Sequence, residues 1–119
     1  MLIPRSLATF FPSLNDNEKN PRVMINFFNK NNQTSWGFNL IHYNNKLFGG
    51  TRFEYRLTRM TGFFREYNVK EQDLIEFSYD EVSNIYFINL TKSENFSTEH
   101  NIVDKGTRIF HVSEWEVVE

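Results

Sequence analysis

The sequence predicts a mainly β fold, a small barrel or sandwich with a short helix near its start. Six short segments are rich in aromatic and β-branched residues, with turn signals between them. Thirteen residues are Phe and Ala8 is the single alanine, a composition that favours pleated surfaces over a helical bundle. Short strands separated by turns point to a barrel or sandwich rather than to a parallel α/β sheet.

The helix is predicted over Pro4–Phe10. Proline is tolerated in a first helical turn, and Leu7 and Phe10 then lie on one side of the helix. Pro12 ends the helix, and the polar stretch 13–21 forms a loop.

Three strands are predicted next, over 22–28, 35–43 and 51–60. The alternating apolar residues are Val23, Ile25 and Phe27 in the first strand and Trp36, Phe38 and Leu40 in the second. Turns are predicted at 29–34 and 44–46, and Gly49-Gly50 allows positive φ or a close backbone approach before the third strand.

The second half of the chain contains three further predicted strands, over 73–79, 85–90 and 107–112. A long polar connection, 92–105, joins the last two. No internal repeat is evident, and the length of 119 residues suits a single domain over 1–119.

Composition excludes several classes of protein. No apolar run approaches the roughly 18 residues that cross a bilayer, and Pro4 interrupts the N-terminus before a secretory signal forms. We therefore expect a cytoplasmic protein with no membrane partner. The absence of cysteine excludes disulfide scaffolds, thiolate metal sites and cysteine nucleophiles.

Charge is divided unevenly along the chain. The net charge is −2, but residues 1–65 carry nine basic and three acidic residues, a balance of +6. Residues 66–119 carry four basic and twelve acidic residues, a balance of −8. This asymmetry predicts a surface that faces a polyanion, unless strands from the two halves interleave and mix the charges.

Patterns for catalysis are missing from the sequence. The three His residues have no metal-site spacing, neither a nucleophile elbow nor a phosphate loop is present, and Asp16–Lys19 lies in a proline-bounded loop. The carboxylates of the second half suit a solvated face; they are Glu66, Glu71, Asp73, Glu76, Asp80 and Glu81. We expect no catalytic residue, metal or cofactor.

The strongest functional signal is the basic segment Lys46–Arg65, in which five bases accompany one acid, Glu54. A strand would place Arg52, Glu54, Arg56 and Thr58 on one face and Phe53, Tyr55, Leu57 and Arg59 on the other. An arginine guanidinium can donate two parallel hydrogen bonds, like the prongs of a fork, to guanine O6 and N7. A carboxylate can accept a hydrogen bond from the cytosine N4 amino group. The alternative is an exposed Arg–Glu–Arg ion network of little energetic value.

Neighbouring residues add groups suited to phosphates and base edges. Gly49 and Gly50 offer backbone amides, and Thr51 and Thr58 offer hydroxyls. Side-chain amides come from Asn44 and Asn45.

The segment 48–59, FGGTRFEYRLTR, resembles the N-terminal effector-DNA-binding domain of EcoRII-type (type IIE) restriction endonucleases. The similarity continues in order along roughly the first two thirds of the chain, at Ile3-Pro4, 11–15, Asn20-Pro21 and 43–45. The resemblance implies a DNA-binding pseudobarrel with one or two short helices, a fold shared with plant transcription-factor domains. It also implies a short target of the CCWGG type.

The resemblance assigns base recognition to Arg52, Glu54 and Arg56. Gly50 and Tyr55 depart from the family, which often has lysine at both positions. The chain also begins almost at the helix, whereas the family domain has an earlier strand and a first DNA-contacting arm. Either that arm is missing here or another loop, such as 29–35, supplies it.

The resulting hypothesis is a double-stranded DNA-binding module of a restriction enzyme whose nuclease lies on another domain or chain. Predicted base contacts are Arg52, Glu54, Tyr55 and Arg56. Predicted backbone contacts are Lys46, Gly50, Thr51, Thr58, Arg59 and Arg65, with Asn44 and Asn45 as further candidates. The alternatives are a protein-interaction module with a basic face and a metal-dependent nuclease.

Overall fold

The computed structural model describes residues 1–92 and the backbone of a strand at 107–111. The architecture is mainly β. Its strands are β1 (Leu2–Ile3), β2 (Arg22–Asn29), β3 (Thr34–Tyr43), β4 (Glu54–Thr58), β5 (Leu74–Asp80), β6 (Ile85–Thr91) and β7 (Thr107–His111). Two 3₁₀ helices, Arg5–Phe10 and Asn45–Phe48, and one α-helix, α1 (Thr61–Glu66), lie between strands. Of the helices in this part of the chain, none has the length and apolarity to cross a membrane.

The described residues form two compact units. The first contains residues 1–25 and 37–61, and the second contains residues 26–36, residues 62–92 and β7. In the first unit, β4 is hydrogen-bonded between β1 and β3 and is antiparallel to both. Ile3 and His42 both lie opposite Tyr55, and the inward-facing Leu40 and Leu57 form another cross-strand pair. The side chains of Ile3, Leu40 and Leu57 are buried, so apolar packing holds β4 against the strands on both of its sides.

In the second unit, β5 lies between β6 and β7 and is antiparallel to both. Strand β2 pairs with β6 in parallel, with Phe27 opposite Tyr86. Phe27 and Phe77 are fully buried, and their ring centroids lie 5.1 Å apart. This aromatic pair is part of the buried core of the second unit.

Most predicted elements are confirmed. The first helix and five of the six predicted strands appear within a residue or two of the predicted bounds. These strands are the ones predicted to start at residues 22, 35, 73, 85 and 107. The predicted connection 92–105 lies outside the described residues beyond Lys92.

The strand predicted at 51–60 is too long at both ends. Arg59 has φ 65°, in the left-handed region that a strand excludes, so β4 stops at Thr58. At the other end, the Arg52 carbonyl accepts a hydrogen bond from the Lys46 backbone N–H at 3.0 Å. This bond closes the loop between β3 and β4 and keeps Arg52 out of the strand.

Asp73 corrects the prediction of an entirely solvated acidic face. It is 1% exposed, and its carboxylate accepts from Lys92 Nζ at 2.7 Å and from the Lys70 backbone N–H at 2.8 Å. Burial of this carboxylate is compensated because both contacts are charge-assisted hydrogen bonds. Glu71 and Asp80, by contrast, are exposed as predicted.

Candidate nucleic-acid interface

An ion network crosses the start of β4. Glu54 Oε1 accepts a hydrogen bond from Arg52 Nε at 2.5 Å and lies 3.4 Å from Arg56 Nε. Side-chain exposure is 43% for Arg52, 25% for Glu54 and 13% for Arg56, so the network passes from the surface toward the interior. Burial opposes ionisation of Glu54, but the hydrogen bonds and charges of the two arginines outweigh it and lower its pKa.

Arg52 is held from a second side by Tyr43. The guanidinium carbon lies 3.8 Å from the Tyr43 ring centroid, a cation–π distance. The contact follows from the strand register, because Tyr43 lies directly opposite Glu54. Within the described residues, Arg52 uses Nε for its ion pair, and its two Nη atoms have no hydrogen-bond partner.

The loop between β3 and β4 is closed by backbone hydrogen bonds. The Leu47 N–H donates to the Asn44 carbonyl at 2.9 Å, and the Gly50 N–H donates to the Asn45 carbonyl at 2.8 Å. Gly49 has φ 91°, which a glycine adopts readily. This geometry exposes Lys46 and Thr51 and uses the Gly50 amide internally.

Asn44 and Thr58 are buried, with exposures of 0% and 3%. The Asn44 side chain accepts from the Asn20 backbone N–H at 2.7 Å and donates to the Glu18 carbonyl at 2.8 Å. Asn44 therefore holds the 16–20 loop against the end of β3 instead of facing solvent.

Tyr55 lies on the opposite face of β4 from Glu54 and Arg56. Its ring is stacked on His42, with centroids 3.9 Å apart and an interplanar angle of 5°. Burial raises the pKa of Tyr55, and the negative charge of Asp16 acts in the same direction. Asp16 Oδ1 in turn lies 2.7 Å from His42 Nδ1, so Tyr55 belongs to a separate polar-aromatic cluster.

That cluster borders a cleft of about 450 Å³ between the first 3₁₀ helix and the following loop. Tyr55 and Asp16 line it together with Phe11 and Pro12. Across the part of the chain that is described, no three His, Asp or Glu residues are grouped so as to hold a metal ion.

Two of the predicted backbone contacts, Arg59 and Arg65, follow β4 in the chain. Arg59 is exposed directly after the strand, where its positive φ turns the chain. Arg65 is exposed in the last turn of α1, in the second unit. Asn45 is half-buried, and its carbonyl anchors the Gly50 amide.

Sequence patterns missed Arg5 and Tyr43. Arg5 is exposed, and its guanidinium carbon lies 4.6 Å from the Phe53 ring centroid. With Phe53 and Glu54 it lines a cleft of about 230 Å³ beside β1. The pairing of β1 with β4 brings Arg5 here, and no local spacing signals that pairing.

The charge asymmetry of the sequence persists between the two units. The described residues of the first unit include seven Lys or Arg and three Asp or Glu, a balance of +4. Those of the second unit include four basic and six acidic residues up to Lys92, a balance of −2. The network around Glu54 therefore lies in the basic unit.

Residues 1–73 match the family described as "Restriction endonuclease EcoRII, N-terminal". The match spans more than half of the chain and includes β1 to β4 and α1. The chain belongs to this family, the N-terminal effector domains of EcoRII-type restriction endonucleases. No curated protein matches the chain.

Proposed function

We propose that this member of the EcoRII N-terminal family is a sequence-specific double-stranded DNA-binding module with the family's pseudobarrel fold. Family membership supports DNA as the ligand and a restriction enzyme as the setting. The observation that carries the proposal is the attachment of Arg52 to Glu54 through Nε, which leaves both Nη atoms without a hydrogen-bond partner in the described residues.

Arg52 is suited to recognise guanine. A guanidinium that donates two parallel hydrogen bonds matches guanine O6 and N7 in the major groove. The Glu54 ion pair and the Tyr43 ring restrict the rotamers of Arg52 before DNA arrives. Less side-chain entropy is then lost on binding, which favours affinity.

Glu54 has two proposed roles. Its Oε1 positions Arg52 and faces Arg56, whereas Oε2 takes no part in the Arg52 pair. A carboxylate oxygen can accept from cytosine N4. One G·C pair therefore satisfies Arg52 and Glu54 together.

Arg56 is proposed to act mainly through Glu54. With a side-chain exposure of 13%, it offers a base much less surface than Arg52 does. Its charge beside Glu54 contributes to keeping that carboxylate ionised. Recognition of a second base by Arg56 requires its guanidinium to turn outward.

Phosphate contacts are assigned to exposed residues around this network. Lys46 and Thr51 lie in the loop before β4, and Arg59 follows the strand. Arg65 is a further proposed phosphate contact, in the second unit. Asn44 and Thr58 are left out because they are buried, and Tyr55 because it faces the other side of β4.

The proposed target is a short site of the CCWGG type, and the nuclease is proposed to lie on another domain or chain. Selection of bound duplexes from a random pool tests the target. An enriched site should bind more tightly than a scrambled duplex, and log affinity should fall linearly with log salt. Absence of enrichment contradicts sequence specificity.

Incubation of the purified chain with plasmid DNA and Mg²⁺ tests the assignment of the nuclease elsewhere. We expect intact plasmid at protein concentrations that saturate the selected site. Nuclease activity that co-elutes with the chain across a chromatographic salt gradient would contradict the proposal.

A further inference from the structure

Two neighbouring apolar side chains are exposed at the end of the 3₁₀ helix between β3 and β4. Leu47 is 53% exposed and Phe48 is 48% exposed. Single exposed apolar residues are common on proteins, but here a Leu and a Phe are adjacent. We call this pair the apolar tip.

The apolar tip is held in place by its own loop. The Leu47 N–H donates to the Asn44 carbonyl, and Asn44 is itself fully buried. Gly49 follows in the left-handed region, and a Cβ added to Gly50 would lie 2.9 Å from Asn45 Cβ. The backbone therefore presents the tip in a defined position.

The tip is also close to the proposed base-recognition residues. Lys46, its immediate neighbour, is joined to the Arg52 carbonyl by a 3.0 Å backbone hydrogen bond. Lys46 and Arg52 are both exposed cations. A ligand that meets the tip must therefore tolerate two positive charges beside an apolar patch.

We propose that Leu47 and Phe48 contact thymine C5-methyl groups next to the base pair recognised by Arg52; this inference rests on the proposed function. The thymine methyl is the apolar group of the major groove, the groove in which an Arg fork recognises guanine. Phosphates flanking the thymine complement Lys46, and Arg52 contacts the neighbouring guanine. A specific protein partner would cover about 800 Å² of each surface, far more than two side chains supply.

The test replaces thymine by deoxyuridine, one position at a time, in the duplex selected from the random pool. This change removes the methyl group and leaves base pairing intact. We expect at least one position at which wild-type affinity falls about fourfold, the value for one buried methyl group. Phe48→Ala and Leu47→Ala should bind the thymine duplex more weakly, and at least one of them should no longer distinguish it from the deoxyuridine duplex.

Val82→Ala is the matched control, because Val82 is 97% exposed in the turn between β5 and β6 in the second unit. It should keep the wild-type preference for thymine. Thermal melts of all three variants should match wild type, since each replaced side chain is about half exposed or more.

The outcomes separate the inference from the proposed function. If Arg52→Ala relaxes specificity while deoxyuridine has no effect at any position, the proposed function stands and the methyl contact is wrong. Retention of the full thymine preference by both tip variants also overturns the methyl contact, as does a selected site without thymine. If wild type prefers no duplex, both proposals fail.

Discussion

Arg52, just before β4, contacts Tyr43 at the end of β3, with the guanidinium carbon 3.8 Å from the ring centroid. Because Glu54 engages Nε of the same arginine, Arg52 is restrained by an aromatic face and by a carboxylate. Neither restraint uses the Nη atoms. The proposed guanine contact therefore uses Nη donors that have no hydrogen-bond partner within the described residues.

Replacement of Arg52 by alanine should reduce affinity for the selected duplex by about 1–3 kcal/mol, the range for a bidentate guanine contact. Specificity should relax at one base pair, as measured by titration of singly substituted duplexes. Arg22→Ala, an exposed arginine at the start of β2 in the first unit, is the control and should keep the wild-type pattern. Equal weakening for every duplex would instead identify Arg52 as a phosphate contact.

Lys46→Ala should weaken binding to all duplexes alike. One fewer phosphate contact reduces the slope of log affinity against log salt by about one. Lys70→Ala, which removes an exposed lysine of the second unit, serves as a comparison. Titrations at about four or five salt concentrations measure this slope for each variant. An unchanged slope for Lys46→Ala would mean that Lys46 does not contact a phosphate.

The sequence predicted the part of the site that depends on local spacing. Arg52 and Glu54 are two residues apart, so an extended chain brings them to the same face. Tyr43 and Arg5 were missed because strand register, not spacing, brings them to this site. The partial burial of Arg56 likewise depends on packing.

The missed secondary structure has comparable causes. Strand β1 has two residues, too few for alternation to be recognised. Helix α1 has six and no proline at either end, whereas the equally short first helix was predicted because Pro4 and Pro12 delimit it. The early end of β4 results from the positive φ of Arg59, which a non-glycine residue seldom adopts. Longer elements with several alternating residues, such as β2 and β3, were predicted within one residue.

Gly50→Ala should weaken DNA binding through the shape of the loop. The added Cβ would meet Asn45 Cβ at 2.9 Å and the Asn45 carbonyl oxygen at 3.1 Å, so the segment that carries Lys46 has to shift. Gly62→Ala is the control, since among the described residues its Cβ would meet Trp36 alone, at an ordinary 3.7 Å. It should keep wild-type affinity and raise stability by about 0.4–1 kcal/mol. Equal affinity of both variants would show that the loop geometry does not matter for binding.

Lowering the pH should reduce the free energy of unfolding through protonation of Glu54. Its pKa is lowered on folding from an ordinary 4.5, so its stabilising contribution is present above about pH 4.5 and is lost as the pH falls through the lower folded value. Glu54→Gln lacks this contribution, and its stability deficit relative to wild type should shrink below pH 4.5. Denaturant melts between pH 3 and 6 measure the deficit, and Glu71→Gln, an exposed carboxylate of the second unit, should not reproduce the trend. A constant deficit would contradict the assigned ion pairs.

Glu54→Ala should affect specific and non-specific DNA in opposite directions. A carboxylate near phosphates repels DNA, so removal of its charge alone favours binding to any duplex. On the cognate duplex, however, the variant loses the positioning of Arg52 and the proposed acceptor for cytosine N4. We therefore expect weaker binding to the selected duplex and equal or tighter binding to a scrambled one, with both affinities measured at one fixed salt concentration. Glu18→Ala, which removes an exposed acid of the first unit outside β4, controls for net charge and should not weaken the selected duplex. Tighter binding of Glu54→Ala to both duplexes would mean that Glu54 only balances charge on the surface of β4.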